Sequence, residues 1–283
     1  MSKKLFAMLI ASALYFPIHA YADLDVVYPD MQERPTDSYG YQVLALALEK
    51  SGRKYHLSIS KDMMNAQRAR KSIDDGTVSV LDVGTSPEFE TKFSAVYFPI
   101  DRGLSGYRLF IINKNLAPQF STIKTLDQLK QMVAGQGPGW SDIKILEGAG
   151  IKVAIGEFVP LFKMVDRRRF DFYPLGIEEI YSLFDKYKEE CPDSIIETTL
   201  VLHYPFARLF FVRKDNKELH DALMDGLEKA FADGSFQSLM DKDPAFHETQ
   251  LRANIKSRTI IEIDNPNLTP KFKQIPAKYF AKL

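Results

Sequence analysis

The stretch V80-LDVGTSPEFETKFSAVYFPIDRGLSGYRLFII-N113 decides the fold. It begins as a buried strand, Val80 to Val83, and breaks at Gly84 into the polar loop Thr85-Ser86-Pro87-Glu88. It then passes Phe98-Pro99-Ile100-Asp101-Arg102-Gly103 and ends in a second apolar strand, Tyr107 to Ile112. In open α/β sheets, ligands collect beyond the carboxyl ends of strands. A loop with small hydroxyls and an arginine at such an end is a candidate ligand shelf.

The pattern continues on both sides. Upstream, Leu24–Tyr28 reads as a strand and the helix after Thr36 carries Tyr41, Leu44, Ala45 and Leu48 on one face. Gly52 stops that helix, Tyr55–Ile59 alternates as a strand, and 65–75 is a short polar helix. This β-α-β-α-β order predicts a parallel sheet covered by helices. Downstream, a second β-α set runs from Thr125 to Leu200, followed by the apolar strand Phe206–Val212 and a strong helix, Lys217–Asp233. The apolar strands near 109 and 209 join the two sets, which predicts two lobes with paired crossing strands as a hinge. Past Pro244 the chain turns polar, with one strand-like run at Thr259–Ile263.

Composition narrows the function classes. The 283 residues have zero formal net charge, 45% hydrophobic and 26% charged content, as in ordinary globular proteins. No basic excess marks a nucleic-acid binder. Lys3 and Lys4, the apolar run Leu5–Ile18 and the small residues Ala20 and Ala22 make residues 1–22 a cleavable signal peptide. Export places the mature chain in a periplasm. Cys191 is the only cysteine, so no internal disulfide or thiolate metal cluster forms. The histidines show no metal-ligand spacing, no nucleophile elbow is present, and no cofactor is expected.

Four pieces carry a resemblance: Thr85-Ser86-Pro87-Glu88, Ile123–Lys130 (IKTLDQLK), Phe170-Asp171-Phe172-Tyr173 and Phe231–Phe236 (FADGSF). In this order and spacing, over residues 24–242, the chain resembles type II periplasmic solute-binding proteins, in particular the branch of polar amino-acid receptors. The resemblance implies an α/β, two-lobed fold closing on a ligand. Lobe one would take 23–112 plus 206–243, lobe two 113–205, and 244–283 would pack on or trail from lobe one. It implies a monomer that captures a small ligand and presents it to a membrane partner. That partner would be an ABC permease or a sensor kinase or cyclase. Two positions depart from the family. Phe89 stands where those receptors place an arginine for the ligand carboxylate, and Tyr173-Pro174 where an acidic residue holds the amine. A small polar or anionic ligand other than an α-amino acid is expected. The alternative is a lyase on the same fold, like cyclohexadienyl dehydratase, with Glu88, Asp142 or Glu178 as general acid.

The candidate ligand residues are Tyr28, Tyr39, Thr85, Ser86, Arg102, Gly137, Trp140, Ser141 and Tyr173. Gly135–Asp142 carries three glycines before a helix start, an arrangement that favours an anion or simply makes a tight turn. Trp140 stacks on a ligand or packs between lobes. Arg102 forks onto a carboxylate or pairs with Asp101 or Glu88. Tyr28 and Tyr39 wall the cleft or fill the core.

Overall fold

The computed structural model describes residues 22–31 and 35–283, so all but the last residue of the expected signal peptide lies outside them. Lobe one opens with a two-stranded sheet, β1 (Leu24–Asp30) and β2 (Tyr55–Met63), paired in parallel from Leu24↔Tyr55 onward. Between them runs α1 (Tyr39–Ser51), capped by Ser38 and ended by Gly52 at φ 72°. Its buried face is Val43, Leu44, Ala47 and Leu48, so Tyr41 and Ala45 sit at the margin rather than at the centre. After α2 (Ala66–Asp74) comes β3 (Val80–Gly84). Ser79 stitches β3 to β1, its amide donating to the Val27 carbonyl and its Oγ accepting from Val27 N. A short α3 (Pro87–Lys92), started by Ser86 and Pro87, leads to β4 (Ser94–Val96).

The second sheet gathers around β5 (Tyr107–Asn113). After α4 (Ala117–Thr122) and α5 (Leu126–Leu129) follow β6 (Val133–Gln136), α6 (Asp142–Gly148) and β7 (Lys152–Ile155). Next come α7 (Phe158–Asp166), β8 (Phe172–Gly176), α8 (Ile180–Lys186), β9 (Ser194–Ile196) and β10 (Leu200–His203). The chain then returns to lobe one with β11 (Arg208–Val212), which inserts antiparallel between β3 and β4 to make a third, three-stranded sheet. α9 (Lys217–Ala232) and α10 (Ser235–Lys242) follow, and α9 packs on α1. The extension adds α11 (Pro244–Arg252) and β12 (Thr259–Glu262). The second sheet reads β12-β10-β5-β8-β6-β7, with β9 also on β5. The lobes bury separate aromatic groups: Phe98, Phe210, Phe211 and Phe236 in lobe one, Phe110, Phe120 and Phe172 in lobe two.

The lobes meet at segments 97–106 and 204–207, which run side by side. Ile100 N donates to Arg208 O (3.0 Å) and Tyr204 N to Gly106 O (3.2 Å). β5 pairs along its whole length inside the second sheet, although the sequence boundary at 112 divides it from that lobe. The extension is shared between lobes. Thr249 Oγ1 on α11 donates to Ile177 O (2.7 Å), and Arg252 pairs with Asp185 (3.0 Å) on α8. β12 extends the second sheet in parallel with β10. The chain then crosses back. Tyr279 packs on Phe98 and Phe231, and Ala281 N donates to Arg102 O (2.8 Å). Among the described residues, no helix is long and apolar enough to cross a membrane.

Candidate ligand cleft

Between the lobes lies a cleft of about 480 Å³. Lobe one contributes the end of β3 (Val83 and Gly84), Tyr39 from α1, Arg70 from α2 and Arg208, the first residue of β11. Lobe two contributes Arg108 on β5, Trp140 to Asp142 at the start of α6, and Glu178 and Glu179 beyond the end of β8. Phe246 of α11 closes the hinge side and stacks edge-on against Tyr39 at 4.7 Å.

Two guanidinium–carboxylate clusters face each other here. In lobe one, Asp82 accepts from Tyr28 OH (2.6 Å) and pairs with Arg208. In lobe two, Asp142 pairs with Arg108 (2.8 Å) and accepts from Tyr204 OH. Burial opposes the charge on each arginine. The adjoining carboxylates more than offset it, so both titrate above the ordinary arginine value. Arg108 lies over the rings of Tyr204 (5.4 Å) and Phe206 (5.2 Å), and its buried Nε has no partner. Asp101 anchors the crossing: its carboxylate accepts from the amides of Gly103 (3.0 Å), Ser105 (3.2 Å) and Arg208 (3.1 Å), and from the Ser105 hydroxyl.

Glu178 is the unusual group. It is only 8% exposed and its Oε2 has no hydrogen-bond partner. Burial, then the charges of Glu179 and Asp101, push its carboxyl up to about 8 against the opposing pull of Arg108. Burial thus favours its protonated form.

The nine candidate residues divide. Tyr39, Trp140 and Ser141 line the cleft, and Ser86 joins Trp140 and Ser141 in an adjoining mouth of about 290 Å³. Tyr28 is buried behind Asp82, outside the cavity wall. Thr85 is buried and bonded to Glu90 (2.5 Å). Gly137 lies under the Trp140 ring, where a Cβ would strike the indole. Tyr173 is fully buried behind Trp140, stacked at 6.4 Å, with its hydroxyl unpartnered. Arg102 is corrected: it does not line the cleft. Its backbone turns at φ 54°, and its guanidinium donates to Gln237 Oε1 (2.5 Å) and Phe280 O (3.2 Å), tied down by α10 and the C-terminal tail. The anion seat at the start of α6 is corrected too. Asp142 fills the first turn with its own carboxylate, and Ser141 makes no side-chain cap.

Sequence reading misses Arg70, Arg108, Arg208, Asp82, Asp101 and Glu179 as site residues. A signal exists for two of them: Arg108, second in β5, and Arg208, first in β11, each lead an apolar run of four residues. Glu178 and Glu179 are set apart from the strand end in the sequence because Pro174 reads as its stop. β8 instead keeps its pairing with β5 through Pro174 to Gly176, which delivers both glutamates to the cleft. Among the described residues, no group of three or more His, Cys, Asp or Glu is placed to hold a metal ion.

No protein-family model matches this chain, and no curated protein does either. Solved structures do. A substrate-binding protein of an amino acid ABC transporter is 16% identical, with 78% of this chain and 99% of that chain covered at a TM-score of 0.54. A chain from a study of glutathione import in Streptococcus mutans, through GshT and the cystine ABC importer TcyBC, is 13% identical. It covers 78% and 95% of the two chains at 0.57. A histidine kinase sensor domain with similarity to periplasmic binding proteins is 11% identical, covering 78% and 96% at 0.56. Identities this low speak for architecture, and together with the three sheets and the crossing segments they establish it: the chain has the two-lobed α/β fold of type II periplasmic binding proteins.

Proposed function

We propose that the protein is an exported solute-binding protein. It captures a small polar or anionic ligand in the cleft by closure about the crossing segments and presents it to a membrane transporter or sensor. The observation that carries this reading is the cleft itself. Arg208 from one lobe and Arg108 and Glu178 from the other converge on one cavity, so a ligand touching all three draws the lobes together. The structural neighbours are binding proteins, and one is a sensor domain, which keeps both kinds of membrane partner in view. Mass spectrometry of the natively purified protein, followed by a thermal-shift screen of carboxylates, amino acids and small peptides, tests it. A co-purified or screened solute whose affinity falls at least tenfold in Arg108→Gln supports capture. A protein that binds none of them sinks it. N-terminal sequencing of the exported chain is expected to begin Asp23-Leu24-Asp25-Val26.

Glu178 favours a second reading. A buried carboxyl that favours its protonated form, beside guanidinium groups, can give its proton to a leaving hydroxyl, which departs as water while the ring carboxylate leaves as CO2 and its bonding electrons stay on the ring. Product formation from prephenate or arogenate, abolished in Glu178→Gln, would establish this lyase. Unchanged substrate after long incubation removes it.

A further inference from the structure

We propose that the mouth of the cleft is a separate anion-seating subsite, built by Arg70, Lys144 and Asn267, for the charged end of an elongated solute. The proposal rests on the capture reading for its biological sense, but its chemistry stands on its own observations. The mouth cavity adjoins the main cleft and shares Arg70, Gly84, Trp140 and Ser141 with it. A solute can therefore lie in both at once, and cavities of several hundred Å³ suit ligands larger than a single small acid.

The charges at the mouth are unspent. Arg108 and Arg208, deeper in, are already committed to Asp142 and Asp82. The side chains of Arg70 and Lys144 are exposed and form no ion pair or hydrogen bond among the described residues. Arg70 only rests on the face of Phe89, 5.3 Å from its centroid, which orients the guanidinium without neutralising it. One comes from each lobe, and the carboxylate of Glu88 is the only acidic group on that wall. Two cations left to converge on one cavity repel each other unless an anion lies between them.

The third member comes from neither lobe's core. Asn267 belongs to the strap at 264–269 that crosses between the lobes. Asn265, 7% exposed, donates to Pro205 O (2.8 Å), Pro266 lies against Gly148, and the Thr269 hydroxyl bonds Glu90. Asn267 N donates to Asn265 Oδ1 (3.0 Å), while its side-chain amide has no partner among the described residues. The strap thus holds an unused amide at the cavity wall. A guanidinium, an ammonium, an amide and the Ser86 hydroxyl suit a carboxylate or phosphate, each of which has several acceptor oxygens.

The test uses inorganic phosphate and the single tryptophan, Trp140, which walls both cavities. Phosphate is titrated at constant ionic strength, with chloride as the control. The full-length protein is expected to show a saturable change in Trp140 emission. The dissociation constant should rise at least tenfold in Arg70→Gln and in Lys144→Gln, and about threefold in Asn267→Ala. Arg70 and Lys144 are exposed and Asn267 is half-buried with an unpartnered side-chain amide, so the substitutions leave the fold intact, which far-UV circular dichroism checks. A change that fails to saturate, or equal constants in all four proteins, overturns the subsite. A solute that binds the cleft while phosphate leaves Trp140 unmoved also overturns it and leaves the capture reading standing. Saturable phosphate binding without any bound solute supports the subsite and counts against capture.

Discussion

At the scale of single residues, Glu178 gives the sharpest expectation. Its folded-state value of about 8 lies above the ordinary 4.5. Between those values the native protein holds more protons at this group than the unfolded chain does. The contribution to stability is therefore fully present below about pH 4.5, falls as pH rises, and is lost above about 8. Glu178→Gln stays neutral throughout and removes the slope. Thermal melts from about pH 5 to pH 9 should show the variant gaining on the wild type by on the order of 2–4 kcal/mol, since each tenfold difference in proton affinity between the folded and unfolded chain is worth about 1.4 kcal/mol. Parallel melting curves would show that Glu178 is already neutralised by another group. This residue is legible in sequence only as one acid among three. Nothing in the string Gly176-Ile177-Glu178-Glu179 tells which glutamate points inward, because that depends on how far β8 runs past Pro174. Arg102 misleads for the same reason. Its position after a strand is right for a ligand arginine, but the tail that occupies it, at Phe280 and Ala281, lies 178 residues or more away in sequence.

At the scale of elements, the sequence is most legible where period and caps agree. β1, β3, β5 and β11, the Gly52 stop of α1 and the helix opening at Thr125 are readable, whereas the Ser38 cap and the short β4 are not. Helix-to-helix contact is not. α9 crosses α1 at Gly226, where a Cβ would land on the Ala47 carbonyl oxygen. Leu219, Ala222, Leu223 and Leu227 form the same buried face. Helical propensity alone makes Gly226→Ala stabilising, by about 0.8–1.0 kcal/mol. The close approach reverses the sign: the helices must separate, and overpacking costs about 1–3 kcal/mol. Urea unfolding should show Gly226→Ala less stable than the wild type, with Gly234→Ala as a control that has open space but a φ of 80°. A more stable Gly226→Ala protein would mean that the two helices do not touch there. The extension is the least legible element. β12 is mostly exposed, burying Ile261 alone of its four residues. What fixes it is Arg258, 8% exposed, donating to the carbonyls of Ala253, Glu197 and Leu200, a set of partners drawn from two distant stretches.

For the whole molecule, those contacts change how the lobes can move. The two-lobed outline follows from the order of strands and helices, and two crossings at 97–106 and 204–207 suffice for it. The extension adds a third, where α11 leaves α10 and packs on α8, and a fourth, the strap at 264–269. Six residues span at most about 20 Å. With Pro266 on lobe two and Thr269 on lobe one, the strap limits how far the cleft opens on its side. We infer that an unliganded protein with this strap intact samples a narrower range of lobe separations than one without it. A protease site introduced next to Asn267 lets the strap be cut in the folded, full-length protein. The piece beyond the cut should stay bound, because Phe272, Ile275 and Tyr279 are buried in lobe one. Small-angle scattering should then show a larger radius of gyration after cutting, and the association rate of any cleft ligand should rise as the mouth widens. Identical scattering before and after the cut would mean that the segments at 97–106 and 204–207 alone set the range, and that the strap serves only to place Asn267.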